Sequence, residues 1–405
     1  MTPSITLSAA PERLPIGALL ALAMTGFICI VTETLPAGLL PLISQGLAIS
    51  PSMAGQMVTA YALGSVLAVI PMTIATRAWR RRNVLLLTIV GFLLFNSITA
   101  LSSHYGLTLV ARFFAGVAAG LAWSLLAGYA RRMVAPHQQG KALALAMVGT
   151  PIALSLGVPL GTWLGGLAGW RTAFGIMSGL TLVLIAWVLV KVPDYSPQLA
   201  HQRMSLCTVL TTPGVRPVLA VVISWMLAHN ILYTYIAPFV APAGLEDQVD
   251  LVLLVFGVAA LVGIWVTAKL VEPLLRKTVL VSLAAFAAVC VVLGFLGRVP
   301  EVIYIGVAVW GLSFGGAATL LQTALADAAG DGADVALSLN VVAWNSAIAG
   351  SGVVGGVLLD RWGVASFPWA MVLLAGAGFA IVWSARVHGF KSGPRAAGRP
   401  AVTGH

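Results

Sequence analysis

The feature that most constrains this chain is a run of about twenty apolar residues, repeated along its length between short breaks of charge, proline or glycine. Taken together with 60% hydrophobic and only 8% charged residues over 405 positions, the pattern excludes a water-covered fold, because soluble domains carry roughly 25% charge. Inside hydrocarbon every backbone N–H and C=O must be paired within the protein, so spanning segments are helices or a closed barrel. Barrel strands alternate apolar and polar residues over about ten positions. These runs do not alternate, so they are read as helices. The expected fold is all-α and integral to the membrane, with twelve spans at 15–43, 52–76, 82–102, 106–130, 140–162, 168–190, 216–241, 250–271, 277–296, 300–326, 333–359 and 364–386.

The longest connection, 191–215, holds Pro193, Pro197 and Pro213 and divides the chain into six spans and six. The expected organisation is an N-terminal bundle over 1–190, a cytoplasmic linker over 191–215, a C-terminal bundle over 216–390 and a flexible tail over 391–405. With the N-terminus in the cytoplasm, 18 of the 22 Lys and Arg residues face inward. Arg171, Arg298 and Arg361 face outward, and Arg112 lies in or near a span. The positive-inside rule then puts both termini in the cytoplasm. It also explains the net charge of +10 without a nucleic-acid partner. Cys29, Cys207 and Cys290 have no metal or redox spacing, so no metal, disulfide or cofactor is expected. The halves echo each other at an offset of about 195: Gly116 with Gly311, Gly120 with Gly315, Gly157 with Gly352, Gly161 with Gly356, and Arg82 with Lys277. Two such halves, with a site between them near the midplane, are a transporter design.

Several segments resemble the major facilitator superfamily, in particular its twelve-span drug/proton antiporter branch and the arabinose-efflux-permease (AraJ-type) members, over about residues 15–390. LGVPLGTWLGG (156–166) and GWRTAF (169–174) resemble the antiporter motif of helix 5 and the entry to helix 6. Gly149, Ala153, Gly157 and Gly161 recur every four residues, a flat face that another helix can approach closely, and Pro159 permits a bend. Ordinary tight packing explains this face; it is also expected to set the helix 5 contact with the other half. TRAWRRRN (76–83) occupies the family's loop between helices 2 and 3. Arg77, Arg80 and Arg81 fit that pattern, but Thr76 stands where Asp is usual and Trp79 where Gly is usual. A basic cluster that only sets topology explains the loop equally well. ARFFAG (111–116) resembles the helix 4 motif. Its Arg112 either is buried in a coupling role or snorkels to the outer interface.

TETLPAGLLP (32–41) resembles the helix 1 signature of the AraJ-type members, including its acid, and Glu33 is the one acid placed well inside a span. A charge at the bilayer centre costs roughly 2.5–3.5 kcal/mol on insertion scales. Removing a carboxyl from water favours its neutral form, which suits a proton carrier; a neutral Glu bonded to another helix is the plainer alternative. In helix 7, Trp225, His229 and Tyr233 recur every four residues beside Asn230, and helix 11 carries Trp344 and Asn345. With Trp123 these residues are expected to wall a substrate site, although a Trp stripe is also a common interfacial belt.

The resemblance implies a secondary transporter, not an enzyme. The expected activity is proton-coupled efflux of small amphipathic or neutral polar molecules such as drugs, sugars or nucleosides, by a monomer in the bacterial inner membrane. Glu33, Arg112 and His229 are the candidates for proton coupling. An uncoupled facilitator or importer of the same fold is the alternative. A membrane enzyme or receptor fits less well, because no nucleophile–base pair or nucleotide loop is present.

Overall fold

The computed structural model describes residues 14–76, 78–135, 138–197, 205–391 and 393, without the side chain of Asp334. Among the described residues, eleven helices are long and apolar enough to cross a membrane. One of them, Val249–Leu296, runs for 48 residues. At 1.5 Å per residue that is about 72 Å, more than twice the roughly 30 Å hydrocarbon core. Its helix breaks at Leu274, just after Pro273 (φ −136°, ψ 27°). It therefore makes two crossings, and the total is twelve.

In chain order the first six spans are Ile16–Gly38, Pro51–Ala75, Arg81–Leu101, Tyr105–Arg132, Gln139–Ala168 and Trp170–Lys191. Span 7 is Val215–Thr234, extended by Ile236–Val240. Spans 8 and 9 are 249–273 and 275–296. Span 10 is Pro300–Gly315, continued by Ala317–Ala329, and spans 11 and 12 are Ala333–Trp362 and Phe367–Ser384. An even number of crossings leaves both ends of the described chain on one face, here the near face. The connection expected over 272–276 between spans 8 and 9 shrinks to a kink, where Leu274 alone leaves helical geometry.

Proline places the breaks in spans 1, 5 and 7. Pro41 and Pro238 each lack an N–H and crowd the carbonyl four residues earlier. The first span of each half breaks just upstream, at Leu39 (φ −103°, ψ 10°) and Tyr235 (φ −112°, ψ 29°). In span 5 the turn before Pro159 widens into π-helix over Ala153–Gly157, a common way to absorb a missing backbone bond.

The two halves pack by one plan. A Cβ on Gly116 would stand 1.8 Å from the carbonyl oxygen of Tyr61, and one on Gly311 would stand 2.4 Å from that of Phe256. Gly120 approaches Ser65 as Gly315 approaches Ala260. Each pair of partners is itself separated by the offset of the repeat, so span 4 lies on span 2 as span 10 lies on span 8. Between the halves, span 2 packs along span 11, and span 5 along span 8.

The small-residue face of span 5 corrects an expectation. Gly149, Gly157 and Gly161 abut Ala23, Phe27, Val31 and Leu35 of span 1, in the same half. The contact with the other half is made elsewhere on span 5, where the backbone at Leu154 and Ser155 meets Gly257 of span 8. Gly352 and Gly356, by contrast, face span 2 across the halves, at Thr59 and Gln56. Periodicity identifies a flat face; it does not say which neighbour fills it.

Candidate functional site

On the near face the loop between spans 2 and 3 is organised by a carboxylate from elsewhere. Thr76 is buried, donates its hydroxyl to Met72 O, and its own carbonyl accepts from Arg81. Asp194, just beyond span 6, forms an ion pair with Arg80 and accepts from the Arg82 backbone N–H. Partial burial pushes the Asp194 carboxyl up, but these hydrogen bonds and the Arg80 and Arg82 charges hold it below the usual carboxylate range. Arg77 lies outside the described residues.

Deep in the first half, one charge of each sign is buried. Arg112 has no exposed surface and Glu33 is 6% exposed, which removes the snorkelling alternative. Their side chains form no ion pair with each other. Arg112 Nη2 donates to the backbone carbonyl of Glu33 (3.3 Å) and Nε to that of Met57 (3.4 Å). The guanidinium also lies over the Tyr61 ring, 4.9 Å from its centre, with Phe174 at 5.6 Å. A desolvated contact of this kind is worth about 2 kcal/mol. Tyr61 donates to Cys29 O at 2.9 Å, and Asn96 donates to Thr32 Oγ1 at 3.0 Å. Glu33 Oε1, Arg112 Nη1 and Asn96 Oδ1 are buried without partners. Such orphans are costly and cluster where function demands them.

The second half buries an aromatic cluster around His229. The imidazole lies nearly parallel to Phe314, 3.6 Å between centres and 6° apart, with Trp310, Tyr233 and Phe256 at 5.3–5.6 Å. Trp310 Nε1 donates to His229 Nδ1 at 3.0 Å. That ring nitrogen is therefore an acceptor, and a neutral imidazole must carry its proton on Nε2. Trp225 is fully buried against Phe314, and Trp344 touches the same ring. Asn230 and Asn345 are buried, each donating to the carbonyl four residues earlier, Met226 and Val341. Trp123 is half-buried against Gly26 of span 1.

Tyr233 joins the two regions. Its hydroxyl is buried and lies beside Thr34 of span 1, the residue next to Glu33. Thus Glu33, Arg112, His229 and Tyr233 fall in one connected region, with Asn230 and Trp225 on the same helix. Tyr61, Asn96, Phe256, Trp310 and Phe314 belong to it as well, and sequence reasoning missed them. A signal existed for two: Phe256 sits one repeat offset from Tyr61, and the Trp310 indole lies ten residues into span 10, where its N–H needs a partner.

The Major Facilitator Superfamily model matches residues 22–351. The chain is 31% identical over 355 residues to the purine ribonucleoside efflux pump NepI of Shigella sonnei, covering 85% of this chain and 88% of that protein. It is 32% identical over 348 residues to the pump of the same name from Escherichia coli O6:K15:H31, covering 83% and 86%. Among solved structures, the D-xylose-proton symporter superposes with a TM-score of 0.73 at 16% identity, over 92% of this chain and 98% of that one. A bacterial homologue of the human lysosomal transporter Spinster, inward-facing and unoccupied, gives 0.65 at 12% identity, over 94% and 97%. The fold, the repeat and these matches agree: the chain belongs to the Major Facilitator Superfamily, and it is a multi-pass membrane transporter, not an enzyme.

Proposed function

We propose that this transporter exports purine nucleosides across a bacterial cytoplasmic membrane in exchange for protons, as a monomer with both termini and the 191–215 linker in the cytoplasm. The observation that carries the reading is Glu33, a buried acid with an orphan oxygen beside an Arg112 that neutralises its surroundings without locking its carboxylate. A carboxylate in a tight ion pair would resist protonation; one left open can take a proton when exposed to one side and give it up to the other. His229 is the poorer carrier, because an indole N–H occupies its Nδ1. The nucleoside assignment rests on the similarity to NepI pumps and on aromatic faces with nearby amides, which suit a flat heterocycle bearing a sugar. The basic residues of the near face support an inside location for it. Trp123, Trp225, Tyr233, Trp344, Asn230 and Asn345 are the proposed contacts with substrate, His229 among them, and antibiotic efflux is a secondary activity of the same site.

The test is transport of radiolabelled inosine and guanosine by purified protein in liposomes under an imposed pH gradient. Wild type should concentrate nucleoside against its gradient. Glu33→Gln should keep binding and pH-independent exchange but lose accumulation, while His229→Asn keeps coupling. Accumulation by Glu33→Gln equal to wild type would move the proton elsewhere. Downhill flux indifferent to pH in wild type would identify a facilitator.

A further inference from the structure

The face opposite the termini is where the halves are tied together, and the tie is specific. Gln56 of span 2 donates through Nε2 to Gly352 O of span 11 at 3.0 Å, and Thr59, one turn on, donates to Ala349 O at 3.3 Å. Tyr235, at the break in span 7, donates to the same Gly352 O at 2.7 Å, with Ser52 O of span 2 at 3.3 Å. Its ring fills a notch that exists because three neighbours are glycine. A Cβ on Gly55 would stand 2.3 Å from the Tyr235 hydroxyl, one on Gly355 2.7 Å from its ring, and one on Gly356 2.9 Å from its hydroxyl. Beneath lies an apolar seam of Val58 and Ala62 from span 2 against Met226 of span 7 and Ile348 of span 11.

We propose that Gln56, Thr59 and Tyr235 are the far-face gate of the transport cycle. Gln56 and Thr59 hold span 2 onto two carbonyls of span 11, and Tyr235 is the wedge that keeps those carbonyls aligned. Three features favour a gate over permanent packing. The accepting carbonyls sit inside span 11, so they keep their own helical partners when the halves part. The two donors are short polar side chains that water can satisfy once exposed, so opening strands no buried group. The wedge stays with its own half, because Tyr235 bonds Gly352 of span 11 more closely than Ser52 of span 2. The break at Tyr235 also lets the end of span 7 move apart from the rest of the helix.

The test needs no transported substrate, so it stands or falls apart from the nucleoside reading. In a Cys29→Ala, Cys207→Ser, Cys290→Ala background, Val58→Cys reports the seam to a membrane-impermeant maleimide added from the far side. Labelling should be slow in this parent. It should rise severalfold in Gln56→Leu/Thr59→Val, and less in Tyr235→Phe, which keeps the ring. A Cβ at Gly356 would lie 3.5 Å from that of Ser52, within reach of a disulfide. In a Tyr235→Phe chain, which removes the hydroxyl 2.9 Å from a Cβ at Gly356, Ser52→Cys/Gly356→Cys should oxidise and suppress far-side labelling of Val58→Cys, read on the peptide that carries it, with dithiothreitol restoring it. Unchanged labelling in Gln56→Leu/Thr59→Val would overturn the proposal. So would labelling that ignores the disulfide, or failure of that disulfide to form in well-folded protein.

Discussion

The two halves share a backbone plan and solve opposite problems at matching places in it. Where the first half has Tyr61, the second has Phe256 one repeat offset on, and where the first has Arg112 the second has Val307. In the first half the ring lies under a buried guanidinium and its hydroxyl reaches Cys29 O. In the second the ring packs against Trp310, 4.5 Å between centres, and against His229. One half thus keeps buried charge in the membrane; the other is an aromatic block in which the His229 imidazole accepts an internal hydrogen bond from Trp310. Symmetric backbones let the halves rock against each other. Under the proposed exchange, asymmetric contents would let one half respond to a proton while the other presents a constant surface.

The largest effect that separates the halves is expected from exchanging their charge content. Arg112→Met should lower gradient-driven efflux at least tenfold, because Glu33 loses the cation that makes its ionised form tolerable, while Val307→Met, the matching change in the second half, stays within about twofold. Initial rates in liposomes decide it. Equal losses would mean that both positions matter only for packing.

Much of this organisation is legible in the sequence, for identifiable reasons. Burial in hydrocarbon forces long apolar helices, so the all-helical membrane fold follows from composition and spacing. Glu33 and Arg112 stand out because charge there is costly. What one-dimensional reading lacks is the identity of neighbours. Gly149, Gly157 and Gly161 announce a close approach but not that span 1 makes it. The stripe Trp225, His229 and Tyr233 is periodic on span 7, yet it is Trp310, Phe314 and Phe256 from spans 10 and 8 that turn it into a cluster. Asp194 lies over a hundred residues from the Arg80 it pairs with, so Thr76 alone reads as a missing carboxylate.

A middle-sized effect should come from opening the aromatic block. Trp310→Phe keeps a ring in place but leaves His229 Nδ1 buried without its donor, at a cost of about 1–3 kcal/mol. The melting temperature in detergent should fall, and His229→Leu in the Trp310→Phe background should recover part of it. Phe256→Tyr should cost a similar amount, because it copies the first half's hydroxyl into a place lined by rings. If both variants melt with wild type, the second half is less closed than its geometry implies.

The smallest effect sharpens the comparison most, because it removes a single oxygen. Tyr61→Phe makes the first half's ring identical to its counterpart, Phe256. The hydroxyl lost is bonded to a helix carbonyl, Cys29 O, which retains its place in span 1. The ring face under Arg112 remains, so the cation–π contact survives. A net loss of about 0.5–1.5 kcal/mol is expected, the worth of one ordinary hydrogen bond. Proton-driven efflux should persist at more than half the wild-type rate, since neither Glu33 nor Arg112 changes partner. The measurement pairs a thermal melt with efflux rates across external pH. A modest fall in melting temperature with an unchanged pH profile would make Tyr61 a platform for Arg112. A shifted profile at equal stability would instead make its hydroxyl part of the proton path, and the division between a responsive half and its platform would have to be redrawn to include span 2.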